Sequence, residues 1–272
     1  MIFSRRVALN EVQLDELHDA IVIRSIEPAA GRDTINAVGN GGPYGQRITG
    51  GRRDNIDIVI KFAIDIRRTD LQGRSEVLEA VNAWAAIACR ENGGAWLTVG
   101  HRPDRRIRVI LAQAAAEGDL WQWTDDYQLT FRAYGVPYWE NLNAASYAIG
   151  GETLNASGAI TIGGSAPASV GVIMENTSGA VINSLNVSVD AKVMSFNTLA
   201  LAAGETLVID HDEKTGLIRI RIRNVFETYR SVLDKRTPES VDDFITPPGM
   251  HRVGYSAQRA CRMTVEWRER YL

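Results

Sequence analysis

Ile56, Ile58, Ile60, Phe62, Ile64 and Ile66 alternate with Asp57, Val59, Lys61, Ala63, Asp65 and Arg67. A period of two places the first set on one face of a strand and the second on the other. Extended over 56–66, such a strand would span roughly 36 Å, which is long. The period then changes. Within 74–90, Val77, Val81, Trp84 and Ala88 share one helical stripe, with Leu78, Ala85 and Cys89 beside it, so an amphipathic helix is predicted. Asn92-Gly93-Gly94 ends it, because glycine takes the left-handed cap at little cost. Strands are predicted at 20–26, 95–99, 106–113 and 127–133, with a turn at 101–104. The first half closes on Gly135-Val136-Pro137-Tyr138-Trp139.

Two stretches break the periodicity. Residues 28–53 hold Gly31, Gly39, Gly41, Gly42, Gly45, Gly50 and Gly51 with Pro43 and several arginines. Such a segment buries little apolar surface, so it is predicted as an extended loop or arm, and loops of this length are often functional. Residues 141–164, rich in Gly, Ala, Ser and Asn, are predicted as a linker that leads into a second domain. The domains are accordingly drawn at 1–140, carrying the arm 28–53, and 141–272. Beyond Ala166 every periodic segment reads as a strand. Residues 206–210 and 217–223 flank a polar turn as a hairpin, with Ile218, Ile220 and Ile222 on one side and Arg219, Arg221 and Arg223 on the other. Met263, Val265 and Trp267 alternate with Arg262, Thr264, Glu266 and Arg268. The fold class predicted is mainly β, an α+β first domain followed by a β-sandwich.

Composition narrows the function. The 272 residues are 45% hydrophobic and 23% charged, with net charge −3, ordinary values for a globular protein and against a dedicated nucleic-acid binder. No run approaches the roughly 20 apolar residues of a membrane span, and the N-terminal residues show no secretory h-region. Only Lys61, Lys192, Lys214 and Lys235 are lysines among the 30 basic residues. Base composition of the genome accounts for that bias, and arginine's planar fork also suits interfaces. Cys89 and Cys261 form no disulfide framework or zinc pattern. They read as buried small hydrophobes of a chain made in a reducing cytoplasm.

No catalytic constellation emerges. Asp210-His211-Asp212-Glu213 offers metal-ligand types, but it falls where the hairpin turns, and turns favour polar residues. It also lacks a defined ion-binding loop pattern. Asp125-Asp126 and Asp242-Asp243 alternate direction on an extended chain and make poor acid/base pairs. The glycines of 39–51 precede no Gly-Lys-Ser/Thr, and the four histidines show no paired spacing. The expectation is a non-enzyme without metal or cofactor. Arg219, Arg221 and Arg223 read either as a solvated face or as a docking face for an acidic partner surface.

The ordered motifs resemble the distal tail protein family of long non-contractile-tailed bacteriophages. They are Arg52-Arg53-Asp54-Asn55-Ile56 through Arg67, Trp84-Ala85, Gly94-Ala95-Trp96-Leu97, Arg106-Ile107-Arg108-Val109, and Leu129-Thr130-Phe131 leading to Pro137-Tyr138-Trp139. In the second half, Gly164-Ser165-Ala166-Pro167-Ala168, Leu207-Val208-Ile209-Asp210, Pro248-Gly249-Met250-His251-Arg252-Val253 and the ending Val265-Glu266-Trp267-Arg268-Glu269-Arg270-Tyr271-Leu272 carry the likeness. The resemblance implies a split-barrel-like β-sandwich with one helix followed by a galectin-like β-sandwich. It implies a structural virion protein at the tail tip, made in the host bacterial cytoplasm. Copies of it, a homohexamer by family habit, would form a ring around the DNA channel. That ring would join the tail tube protein to the tail hub and receptor-binding protein, with DNA passing unbound and no membrane contact. Arg47, Arg52 and Arg53 on the arm, with Asp57 and Lys61 on the polar strand face, are the candidate subunit-interface residues. Arg219, Arg221 and Arg223 are the candidate partner-docking face. A carbohydrate-binding β-sandwich for host attachment is the alternative. It would need exposed aromatics among Phe196, Phe226, Tyr229, Phe244, Tyr255, Trp267 and Tyr271.

Overall fold

A computed structural model describes residues 6–28, 33–39, 46–65, 67–69, 71–90, 93–116, 126–133, 137–212 and 217–272. The chain separates into two compact units, Met1–Trp139 and Glu140–Leu272.

The first unit contains β1 (Val7–Leu9), β2 (Val12–Gln13), β3 (Ile21–Pro28), β4 (Asp33–Gly39), β5 (Gln46–Arg53), β6 (Ile56–Ile64), α1 (Leu71–Arg90), β7 (Ala95–Val99), β8 (Arg102–Gln113) and β9 (Asp126–Ala133). Its sheet runs in the order β2-β1-β7-β8-β9-β6-β3. The isoleucine alternation does what its period requires. Ile56, Ile58, Ile60, Phe62 and Ile64 are all buried, while the intervening positions up to Lys61 are half-exposed. β6 sits between β3 and β9, paired antiparallel to both, which explains why the apolar side is so uniform. On α1, Val77, Leu78, Val81, Trp84, Ala85, Ala88 and Cys89 are buried. The helix is tied down by Asn82, whose Nδ2 donates to the Ala115 carbonyl at 2.8 Å and whose Oδ1 accepts from the Ala115 amide at 2.9 Å. One side chain thereby satisfies both main-chain groups of a residue just past β8, as a paired strand would.

Two expectations for this half are corrected. Residues 33–39 and 46–53, predicted as loop, are the strands β4 and β5. They pair antiparallel from Asp33↔Arg53 to Gly39↔Gln46 and form a two-stranded sheet of their own. Glycine-rich composition hides such a ribbon because its cross-strand pairing is backbone work that side-chain periodicity does not record. The turn predicted at 101–104 is shorter, since β8 already begins at Arg102.

The second unit follows with β10 (Trp139–Asn141), β11 (Ala145–Ile162), β12 (Ala168–Asn176), β13 (Leu185–Val189), β14 (Lys192–Phe196), β15 (Thr206–His211), β16 (Ile218–Arg223), β17 (Tyr229–Ser231), β18 (Ile245–Thr246), β19 (Gly249–Trp267) and β20 (Arg270–Tyr271). The strand order is β14-β13-β19-β12-β15-β16-β17, with β11 along β19. β19 serves two neighbours: its first half pairs with β13 (Leu185↔Ala257 to Val189↔Val253) and its second half with β12 (Val170↔Trp267 to Asn176↔Cys261). β11 follows it through register shifts at Gly150/Thr153 and Thr153/Asn155. A long ribbon that bends at bulges and changes neighbours is how strands pass from one layer of a β-sandwich to the other. The two layers enclose one core that includes Val172, Met174, Val187, Met194, Phe196, Leu207, Ile209, Ile220, Phe244, Met263 and Val265. Residues 145–162 were predicted as linker, and the structure corrects this to an 18-residue strand. Its Ser, Gly and Asn positions are largely exposed, so the apolar alternation that reveals a strand is missing, and the ladder with β19 supplies the conformation instead.

Candidate functional site

The predicted interface residues fall in two places. Arg47, Arg52 and Arg53 lie on β5, opposite Val38, Thr34 and Asp33 of β4; their side chains are outside the described residues. Asp57 and Lys61 lie on the half-exposed face of β6, and both are engaged within the chain. Arg132 on β9 donates through Nε to Asp57 Oδ1 at 2.7 Å and through Nη2 to Oδ2 at 2.9 Å. The register Asp57↔Arg132 places the two directly opposite, which is the geometry of a cross-strand ion pair. Lys61 Nζ donates to Glu27 Oε1 at 3.0 Å, and Ser25 Oγ reaches the same oxygen at 2.9 Å. These bridges cross-link β3, β6 and β9 on that face.

The Arg132 hydrogen bonds hold the Asp57 carboxyl below its ordinary range, burial opposing them, with Coulomb attraction adding to them. A depressed carboxyl stabilises the fold above its unfolded pKa, about 4, and loses that stabilisation as pH falls through the folded value. Amide protection in β6 and β9, measured relative to the intrinsic exchange rate at each pH, is therefore expected to fall below about pH 4, with Asp57→Asn flattening that dependence. Equal acid sensitivity in wild type and variant would show that the pair contributes nothing.

The arginine row of β16 is engaged with carboxylates of its own chain. Arg219 donates to Asp210 Oδ1 (3.0 Å) and Oδ2 (2.8 Å) and to Asp212 Oδ2 (2.9 Å). Arg221 Nη2 shares Asp210 Oδ2 at 2.9 Å, and its guanidinium lies 4.5 Å from the centre of the Tyr229 ring. Two of the three cations are thus answered by carboxylates of the adjacent strand and its end. The polar stretch 210–212 is accordingly more than a solvated turn. β15 runs through His211, and the Asp212 amide bonds the Leu217 carbonyl at 2.8 Å. His211 is half-buried, with neither ring nitrogen hydrogen-bonded, and burial lowers its pKa, favouring the neutral ring. Glu213 lies outside the described residues.

Reactive groups elsewhere are in structural settings. Cys89 and Cys261 are buried free thiols. Burial raises both pKa values, that of Cys261 to about 11, which is the reverse of what a nucleophilic thiolate needs. His251 bridges Asp190 Oδ2 (2.7 Å from Nδ1) and the Pro247 carbonyl (2.8 Å from Nε2), pinning the start of β19 to the β13–β14 turn. Among the described residues, no three of His, Cys, Asp and Glu are grouped to hold a metal.

Sequence reasoning missed one surface feature. Between β16 and β17, Val225 and Phe226 are 67% and 82% exposed and Tyr229 50%. The loop is ordered by Asn224, whose Oδ1 accepts from the Phe226 amide (2.9 Å) and the Thr228 amide (3.0 Å). The Asn before two apolar residues was the available signal, because asparagine bonds the backbone two residues on. Of the aromatics named for the second domain, Phe196, Phe244, Tyr255 and Trp267 are buried, as their alternation with apolar neighbours requires for Trp267.

No family model matches the sequence, and no curated protein does either. Solved structures do match. The Dit protein of phage SPP1, described as a paradigm of the hub adsorption apparatus in phages that infect Gram-positive bacteria, superposes with a TM-score of 0.71 at 12% identity. The match covers 98% of this chain and 99% of that one. A chain of the phage p2 baseplate in its activated conformation with Sr matches with a TM-score of 0.53 at 9% identity, covering 97% of both. Such identities carry architecture rather than activity. The mainly β, two-unit fold with one helix is therefore the fold of the SPP1 Dit protein, in keeping with the resemblance to distal tail proteins that the motifs carry.

Proposed function

We propose that this chain is a structural subunit of a phage tail tip. Copies of it close into a ring through the first unit, and the second unit faces partner proteins. The observation that carries the reading is the β4–β5 ribbon. Among the described residues it pairs with no strand of either large sheet, and a two-stranded ribbon alone is marginal in water. A neighbouring copy supplies what the ribbon lacks. Heterologous contacts of this kind generate a ring when the rotation closes. The sheet's terminal strands, β2 and β3, add backbone edges that accept a partner strand. The full-length likeness to the SPP1 Dit fold supports the same reading.

In this reading the ring sits between tail tube and tail hub, receptor-binding components dock outside, and DNA passes through the lumen. A net charge of −3 suits a lumen that does not grip phosphate, since every neutralised phosphate adds affinity and would hold the genome back. The chain acts by fitting surfaces together and has no catalytic task.

Light scattering on the purified chain during size exclusion tests this. The expected particle has about six times the 29.9 kDa of one chain, as a closed cyclic assembly. A monomer at every concentration would overturn the ring.

A further inference from the structure

We propose that α1 pairs antiparallel with α1 of a second copy of this chain, about a two-fold axis at Ala83, in a contact separate from the ring contact. Between Ser75 and Arg90 the exposed residues are Glu76, Glu79, Ala80, Ala83, Ile87 and Arg90. At 3.6 residues per turn they fall on a single stripe, turned away from the buried stripe of Val77, Val81, Trp84 and Ala88.

The charges on this stripe are segregated. Glu76 and Glu79 precede its apolar middle, and Arg90 follows it. Glu79 and Arg90 have no ion-pair or hydrogen-bond partner among the described residues, and Glu76 only accepts from Gln72 Nε2 at 3.2 Å. The helix dipole accounts for acid early and base late. It gives no reason for Ile87 to be 59% exposed in the same stripe, nor for two alanines where a solvated helix face ordinarily carries polar residues.

The spacing identifies a second copy as the occupant. Glu76 and Arg90 lie equally far in sequence on either side of Ala83, about 10 Å each way at the helical rise. A two-fold rotation perpendicular to the helix therefore brings Arg90 of each copy level with Glu76 of the other. Glu79 stands on the same flank as Arg90 and nearer the axis, so each guanidinium meets two carboxylates. The alanines between let the helices approach to about 8 Å, the close end of helix packing, and Ile87 of both copies leaves water. A parallel pair would set Glu76 and Glu79 against their own counterparts, which repel. The stripe is complementary to itself in the antiparallel orientation.

Such a contact differs in kind from the ring contact. A two-fold contact joins like to like and stops at two, whereas a ring contact joins unlike surfaces and continues round the circle. One helix pair is small beside the about 1,200–2,000 Å² of a stable interface. It holds weakly between single chains and gains strength where several copies are linked.

Cross-linking of the full chain at high concentration tests the pairing, with diamide as the oxidant that takes up the two electrons and two protons of each new disulfide. Ala83→Cys, at an exposed position on the axis, is expected to give a covalent dimer on non-reducing electrophoresis. Wild type should not, because Cys89 and Cys261 are buried. Gln72→Cys lies on the same stripe, but its two copies would be about 33 Å apart, so it should stay uncross-linked. Adding Arg90→Glu to Ala83→Cys should slow the reaction about fivefold. Reversing all three charges (Glu76→Arg, Glu79→Arg, Arg90→Glu) should restore it. A contact between unlike surfaces cannot set residue 83 against itself, so the result reads the two-fold pair whether or not the chain closes into a ring. The inference is overturned if Ala83→Cys gives no more dimer than wild type, if Gln72→Cys cross-links as fast, or if the charge-reversed chain stays as slow as Arg90→Glu.

Discussion

Replacing residues 31–50 by a short Gly-Ser linker is expected to convert the ring into monomers while both units stay folded. The ribbon β4–β5 is a sheet apart, so its loss removes none of the ladders that build the first unit. β3 and β6 still pair from Ile21↔Ile64 to Pro28↔Ile58, and β6 still pairs with β9. In the proposed ring, what is lost is the contact with the next copy. Ordering a glycine-rich arm costs conformational entropy, and the neighbour must offset it. A stable interface of ordinary size buries about 1,200–2,000 Å². Removing the element that reaches across should weaken association about 100-fold or more, about 3 kcal/mol per contact. Light scattering reads the mass, and circular dichroism checks that the β content persists. A ring of unchanged mass after the replacement would remove the ribbon from the interface.

Gly150→Ala should strongly destabilise the second unit. Gly150 has φ +76°, where a side chain is strained, and an added Cβ would lie 2.0 Å from the Tyr255 hydroxyl and 2.8 Å from the ring carbon bearing it. Tyr255 has little room to retreat. It is 5% exposed, and its hydroxyl lies 2.5 Å from the Cys261 carbonyl and 3.2 Å from that of Thr153. These contacts knit the bend where β19 changes neighbours while β11 stays paired to it, beside the register shift at Gly150/Thr153. The left-handed backbone adds about 1–2 kcal/mol and overpacking about 1–3 kcal/mol. A loss near 3 kcal/mol, equivalent to about 10 °C in melting temperature, is therefore expected. Differential scanning calorimetry measures it. Hydrogen exchange should place the loosening in β11 and β19 and leave β6 protected. A shift below about 1 kcal/mol, the scale of ordinary surface substitutions, would mean that the bend relaxes freely.

The strands most legible in the chain are those with one face buried and one face wet. β6 shows its isoleucines, β16 its Ile218-Ile220-Ile222 row and β19 its Met263-Val265-Trp267 end, because burial on one side imposes a period of two on the side chains. The helix was legible for the same reason at a different period, although it starts at Leu71, before the Arg74 from which its stripe was read. β4, β5 and β11 were illegible. Their exposed faces and high glycine, serine and asparagine content leave nothing periodic, and main-chain pairing alone makes them strands. The sites divide in the same way. Asp57, Lys61, Arg219 and Arg221 could be picked out as charged residues on polar strand faces. Their partners Arg132, Glu27 and Asp210 are set by strand register; Arg132 belongs to a strand read separately in the sequence, and Glu27 lies one residue beyond the predicted 20–26 strand, which the structure extends to Pro28.

Local side-chain chemistry along the chain was enough to establish a mainly β molecule with one amphipathic helix. These properties follow from which residues tolerate water and at what spacing they recur. Tertiary structure alone decided that Asp33–Gly39 and Gln46–Arg53 pair as a two-stranded ribbon, and that one long strand pair bends to serve two layers. Those outcomes depend on pairings between residues far apart in the chain, and a pairing leaves its mark on a single sequence only where it also buries an apolar face.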